Sequence, residues 1–260
     1  MSGEVELRWL GQASFLLRFH AATVLVDPFL SPHPDRLVPP PFAPEEATGL
    51  DLVAITHDHL DHLDRESLPG IAAASPAARF VIPLPLVDAL EVPADRVLGL
   101  RPGESAEIGT LRVHAVAALH GDLPTDAYSF DGAAGDGACR FLGYVFDADG
   151  ICVYHAGDTI SYPGLAEEVR RLAPDVALLP INGRDAEREA QDIVGNLDEA
   201  EAVELAAAAG VDLLVPMHWD MFAANPGSPG RVVDLARGRG LGVLVPSYDR
   251  PLVYGRALRA

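Results

Sequence analysis

Residues 56–62 read Thr56-His57-Asp58-His59-Leu60-Asp61-His62, and they follow directly on the apolar run Leu52-Val53-Ala54-Ile55. A short continuous apolar run of this kind is a strand inside a core. The fold must therefore deliver three imidazoles and two carboxylates to the end of a buried strand. Burying such groups is costly unless they are paired or coordinated. We read the segment as a metal cradle, in preference to a His-rich surface turn.

The chain has 260 residues, nearly half of them apolar, which is enough for one sizeable core. No linker or low-complexity block divides it, so a single domain over 1–260 is expected. The 38 acidic residues outnumber 19 basic ones, all of them arginine, for a net charge of −19. That field repels polyanions and argues against a nucleic-acid partner. The start Met1-Ser2-Gly3-Glu4-Val5-Glu6 lacks a secretory pattern, and no apolar run reaches the ~20 residues that span a bilayer. Cys139 and Cys152 form no disulfide framework, and Cys152 reads as a core thiol. A cytoplasmic protein with a small-molecule substrate and no membrane partner is expected. A homo-oligomer is compatible with the sequence.

The first half reads as strands and turns: Val5–Trp9, Ser14–Phe19 and Thr23–Val26 form a meander, and Leu52–Ile55 ends at the histidine cluster. Ser31–Pro44, with six prolines, is a loop that could border the site. Val81–Pro83 and Leu111–Ala117 continue the pattern. The second half repeats the theme, with a hairpin of Phe141–Phe146 and Ile151–His155 and single strands at Val176–Leu179 and Leu213–Pro216. Gly164–Leu172 has helical spacing. Asn196 with Glu199 reads as a capping box, opening a helix that Gly210 ends. This alternation suggests two β-rich halves packed face to face under helices, an α/β (α+β) class.

Four more candidates each follow a strand: Asp27, His120, Asp158 and His218. With them the chain resembles the metallo-β-lactamase superfamily, whose histidine/aspartate box stands here as His57-Asp58-His59-Leu60-Asp61-His62. The resemblance implies an αββα sandwich of two mixed sheets and a two-metal site. It implies that His57, His59 and His120 hold one divalent ion, that Asp61, His62 and His218 hold the other, and that Asp158 bridges them. Asp27 would support the site from behind. Trp9-Leu10-Gly11-Gln12-Ala13, Pro180-Ile181-Asn182-Gly183-Arg184-Asp185 and Pro216-Met217-His218-Trp219-Asp220-Met221-Phe222 are similar to the branch named after L-ascorbate-6-phosphate lactonase. The Gly-His-Thr motif common in glyoxalase II-like members is replaced here by Ala118-Leu119-His120-Gly121-Asp122.

Imidazole and carboxylate ligands suit Zn²⁺, Mn²⁺ or Fe²⁺ alike. Five histidines and two carboxylates leave open positions on two ions, which marks a catalytic site over a structural one. Asp61 and Asp158 are the candidate proton acceptors. Asn182, Arg184, Trp219 and Phe222 are candidates for contacting substrate, Arg184 because its fork suits an anion; pairing with Asp185 is its alternative role. His155 is a candidate for support behind the ligands, whereas His114, His20 and His33 read as core or surface residues. The expected activity is hydrolysis of a lactone or related ester. A phosphodiesterase or nuclease on the same scaffold, and a metal-binding protein without turnover, are the alternatives.

Overall fold

The computed structural model describes residues 3–125 and 139–256. Its first sheet takes β1 (Glu4–Gly11), β2 (Ser14–Phe19), β3 (Thr23–Val26), β4 (Leu52–Ala54), β5 (Arg79–Pro83) and β6 (Val97–Leu100). The second takes β7 (Ser105–Ile108), β8 (Leu111–Ala117), β9 (Leu142–Ala148), β10 (Ile151–His155), β11 (Val176–Pro180), β12 (Leu213–Met217) and β13 (Gly242–Val243). The last strand, β14 (Leu252–Gly255), returns to pair with β1. The sheet orders are β14-β1-β2-β3-β4-β5-β6 and β7-β8-β9-β10-β11-β12-β13.

The two sheets are built alike. From β14 the first has three antiparallel pairings followed by three parallel ones, and from β7 the second has the same succession. In both, the parallel strands run to one edge, where crossover connections must turn and where ligand-bearing loops collect.

Why these segments read as unbroken apolar runs follows from their two buried faces. In β4, Leu52 and Ala54 face the layer between the sheets while Val53 packs outward under α1 (Leu68–Ala74). In β11, Val176 and Leu178 face inward. Ala177 and Leu179 instead meet α2 (Leu165–Leu172), α4 (Glu199–Ala209) and α5 (Pro229–Ala236). The period-2 alternation of a strand thus splits each run between two cores. The result is the expected αββα sandwich.

Three readings are corrected. The cap of α4 is Asp198, not Asn196: its side chain accepts from the Ala200 and Glu201 amides, and Glu201 closes the capping box. Asn196 is instead buried, donating to Asn182 Oδ1 at 3.1 Å. Cys152 is only half-buried, and both cysteines are free thiols. The short helix α3 (Ala186–Glu189), α1, α5 and the strands β6, β7, β13 and β14 were not anticipated, because each is short and weakly patterned. No helix among the described residues is long and apolar enough to cross a membrane.

Candidate metal centre

Thr56 is the second residue past β4, and its backbone amide donates to Asp27 Oδ1 at 2.8 Å. Asp27 itself stands at the end of the neighbouring parallel strand β3. Its other oxygen accepts from Thr56 Oγ1 and from His62 Nδ1, both at 2.7 Å. A carboxylate only accepts, so His62 carries its proton on Nδ1 and turns a lone pair out at Nε2. The same logic passes one residue further. Because Thr56 Oγ1 donates to Asp27, it must accept from His57 Nδ1, 3.0 Å away, which leaves His57 Nε2 as a second lone pair. One fully buried aspartate thus fixes the tautomers of two box histidines.

His59 stands apart, with Nε2 3.3 Å from Asp122 Oδ1. Arg140 bridges Asp122 and Asp58, so the non-ligand carboxylate of the box is neutralised at the rim. His120 leaves β8, Asp158 leaves β10 and His218 leaves β12, and all three are buried against the box.

Three groups of side chains bring ligand atoms within 4.8 Å of one another: His57, His59 and His120; His57, His62 and Asp158; and Asp61, His62 and His218. Asp158 Oδ1 is 3.4 Å from His62 Nε2, while its Oδ2 is 3.2 Å from His218 Nε2 and 3.7 Å from His120 Nε2. Asp61 Oδ2 is 3.4 Å from His218 Nε2 and 3.8 Å from His62 Nε2. Most of these separations are too long for strong hydrogen bonds. They match the edge of a tetrahedron: ligand atoms about 2.0–2.2 Å from a shared cation lie about 3.3–3.6 Å apart. His57 Nε2, His62 Nε2 and Asp158 Oδ1 are all buried without a hydrogen-bond partner. Such orphans demand an explanation, and a bound cation supplies one. The donor set fits divalent metal.

Electrostatics divides the cluster. Burial and the neighbouring imidazoles hold His57 well below its ordinary pKa, and burial takes His120 down to about 4. Burial also disfavours charge on His62 and His218, but there the carboxylates win. Asp158, Asp61 and Asp27 raise His62 well above the usual range, and Asp158 with Asp61 raises His218 to about 9. Against its own burial, Asp158 is held well below the carboxylate range by His218 and His62. The acidic half therefore draws positive charge, whereas His57 and His120 are held neutral.

Backbone strain concentrates at the same place. Among the described residues, six non-glycine residues have positive φ, and Gln12, Asp27 and His218 are three of them. Each such residue costs about 1–3 kcal/mol, and clusters of them mark sites where position outweighs stability. Gly157, at φ +61°, has no alternative: a Cβ there would stand 2.7 Å from the Leu142 carbonyl oxygen.

The remaining candidates fall around this centre unevenly. His155 hydrogen-bonds to none of the proposed ligands; its Nε2 donates to the Ala13 carbonyl and its Nδ1 accepts from the Gly157 amide. It ties the β1–β2 turn to the turn that presents Asp158. Trp219 stacks on Trp9 at 5.4 Å, and Phe222 packs on Phe29 and against the edge of His33 in the Pro-rich loop. Asn182 is buried beside Asn196. Arg184 pairs bidentately with Glu201 at 2.7 Å and donates to the Asn196 carbonyl, so its partner is not Asp185, which binds Arg188. His114 bonds Ser105 on the strand surface.

Sequence reasoning missed Gln12, Asp64, Asp122 and Arg140. Asp64 is buried, and its Oδ2 accepts from the Leu30 and Ser31 amides, anchoring the start of the Pro-rich loop to the box. Its place two residues beyond His62 was the available signal.

Comparisons with known proteins bear on this geometry. The β-lactamase superfamily domain model matches residues 22–219. The chain belongs to that superfamily. Over 232 residues it is 33% identical to a UPF0173 metal-dependent hydrolase of Methanoregula boonei, covering 85% of this chain and 86% of the relative. A UPF0173 metal-dependent hydrolase of Myxococcus xanthus is 30% identical over 236 residues, 87% of this chain and 75% of the relative. Within the superfamily, then, the chain belongs to a family of metal-dependent hydrolases.

The fold is shared with Igni18, a metallo hydrolase of Ignicoccus hospitalis (TM-score 0.71, 22% identity, 96% of this chain and 98% of that one). An isothiocyanate hydrolase from Delia radicum gut bacteria also shares it (TM-score 0.72, 17% identity, 95% and 98%). So does CmlA, a diiron β-hydroxylase of Streptomyces venezuelae (TM-score 0.68, 18% identity), where the match covers 98% of this chain but 54% of that one.

Proposed function

We propose that the chain is a dinuclear metal hydrolase that opens a small lactone or cleaves a related ester. The observation that carries this reading is the overlap of the ligand groups. His57 and His62 each belong to two of them, and Asp158 reaches ligands on both sides. In the assignment we favour, His57, His59 and His120 hold one ion, Asp61, His62 and His218 hold the other, and Asp158 lies between. Zn²⁺ and Mn²⁺ both suit these donors, and Fe²⁺ does so as well. Bound there, the ions would supply Lewis acidity and a water acidic enough to react near neutral pH.

The residues do the rest. Asp61 is the better placed proton acceptor, because its side chain is 19% exposed against 5% for Asp158. Trp219 and Phe222 stand next to the last ligand and give the rim an apolar side. The segments around Gln12, Asn182 and His218 favour the lactonase-like branch. The charge of −19 favours a small substrate over RNA or DNA. The two free thiols fit a cytoplasmic enzyme.

Protein loaded with two equivalents of Mn²⁺ or Zn²⁺, offered lactones, sugar-phosphate lactones, simple esters, phosphodiesters, a chromogenic β-lactam and RNA, tests this. Hydrolysis of the carbonyl substrates is expected to exceed all others. Cleavage of phosphodiesters alone, or of nothing, would overturn it.

A further inference from the structure

Gln12 is fully buried in the turn between β1 and β2, far from the box in sequence, and it reaches two of the proposed ligands. Its Nε2 donates to Asp61 Oδ2 at 2.8 Å. The orientation of the amide follows from that neighbour, since a carboxylate oxygen can only accept. The same Nε2 lies 3.0 Å from His218 Nε2 and 3.3 Å from His218 Nδ1. An atom aligned with the lone pair of one imidazole nitrogen lies well away from the other, so near-equal distances put the amide over the ring face. Gln12 therefore leaves the in-plane lone pair of His218 free.

The backbone completes the connection. The Gln12 carbonyl accepts from the His218 amide at 3.1 Å and from the Trp9 indole at 2.9 Å. Gln12 and His218 both hold left-handed φ, at +53° and +60°. Two residues in a costly conformation are thus bonded to each other, and the side chain of the first reaches across to Asp61. Among the described residues, Gln12 makes no hydrogen bond to His57, His59 or His120.

We propose that Gln12 is a positioning residue for one half of the centre only: it sets Asp61 and His218 for the ion they share with His62 and leaves the all-imidazole group untouched. The amide ties down Asp61 Oδ2 and leaves Oδ1 unengaged by it. This inference rests on the dinuclear reading above and adds that the two ions depend on different parts of the fold.

Gln12→Met keeps the length of the side chain and removes the donor. Equilibrium dialysis of wild type and variant against Mn²⁺, with thermal melting of both metal-free proteins, is the test. The variant should lose affinity for one of two equivalents by about 10–100-fold, the range for losing a hydrogen bond behind a ligand. The other equivalent and the metal-free melting temperature should stay as in wild type. Gln12→His, which restores an N–H donor, should recover part of the loss. Two equivalents bound by Gln12→Met with wild-type affinity would overturn the proposal, as would equal weakening of both or a collapse of the metal-free melt. Wild type binding fewer than two equivalents would instead overturn the dinuclear reading itself.

Discussion

The two halves of the metal centre solve the same problem with opposite chemistry. His57, His59 and His120 bring nitrogen alone, and burial keeps His57 and His120 neutral. Asp61, His62 and His218, with Asp158 beside them, bring carboxylates that raise both imidazoles. The first half offers preformed lone pairs, and the second offers negative charge that some cation must balance. Metal entering the second half displaces protons, whereas metal meeting His57 and His120 has little to displace. The supports divide less sharply: Gln12 holds the acidic half, Asp122 holds His59 from the rim, and Asp27 bonds His62 directly and His57 through Thr56.

Removing the group common to both halves should do the most damage. Asp158→Ala is expected to lower occupancy of both positions and cut turnover by about 10³-fold or more. Metal analysis with a kinetic assay reads both effects. Wild-type activity at saturating metal would show that Asp158 does not join the halves. Next, His218→Ala and His120→Ala should each lose about one equivalent, and the residual sites should differ in metal preference. Identical metal profiles for the two variants would erase the distinction.

How much of this was legible in the sequence differs between the halves for a physical reason. The box is local, so His57, His59, Asp61 and His62 can be read from one loop. His120, Asp158 and His218 were legible because each follows an apolar strand, and β8, β10 and β12 run the same way and so deliver their ends to one side. The αββα layering came from the resemblance, and the apolar runs Leu52–Ile55 and Val176–Leu179 by themselves suggested only β-rich halves under helices. The supports were not legible. Gln12 acts through a turn whose backbone conformation no pattern announces. The Arg184 partner, Glu201, sits on a helix whose cap was placed two residues early. Asp122 and Arg140 depend on how distant loops meet.

Asp27→Asn replaces an acceptor by a donor facing His62 Nδ1 and Thr56 Oγ1. Metal affinity is expected to fall by about 10–100-fold, with the fold kept. The loss should be largest in the acidic half, where Asp27 bonds His62 directly, and smaller in the imidazole half, which it reaches only through Thr56. Isothermal titration with Zn²⁺ measures this, and an equal effect on both halves would weaken the contrast. The smallest effect is expected outside the centre. Arg184→Ala should cost about 1 kcal/mol or less in urea unfolding, since the Glu201 pair is partly exposed, and should leave kcat/KM unchanged. Burial raises the Glu201 carboxyl, but Arg184 holds it below its ordinary value of 4.5. A depressed carboxylate contributes its stability above that value and loses it as pH falls, so the variant and wild type should converge in acid. A loss of substrate affinity in Arg184→Ala would return that arginine to the site.

The central claim is that two cations sit on the two halves with Asp158 between them. Crystals loaded with Mn²⁺ or Zn²⁺ and measured at the metal absorption edge test it directly. Two anomalous peaks about 3.5–4 Å apart, one beside His120 and one beside His218, are the expected result. A single peak, or peaks away from these residues, would contradict it.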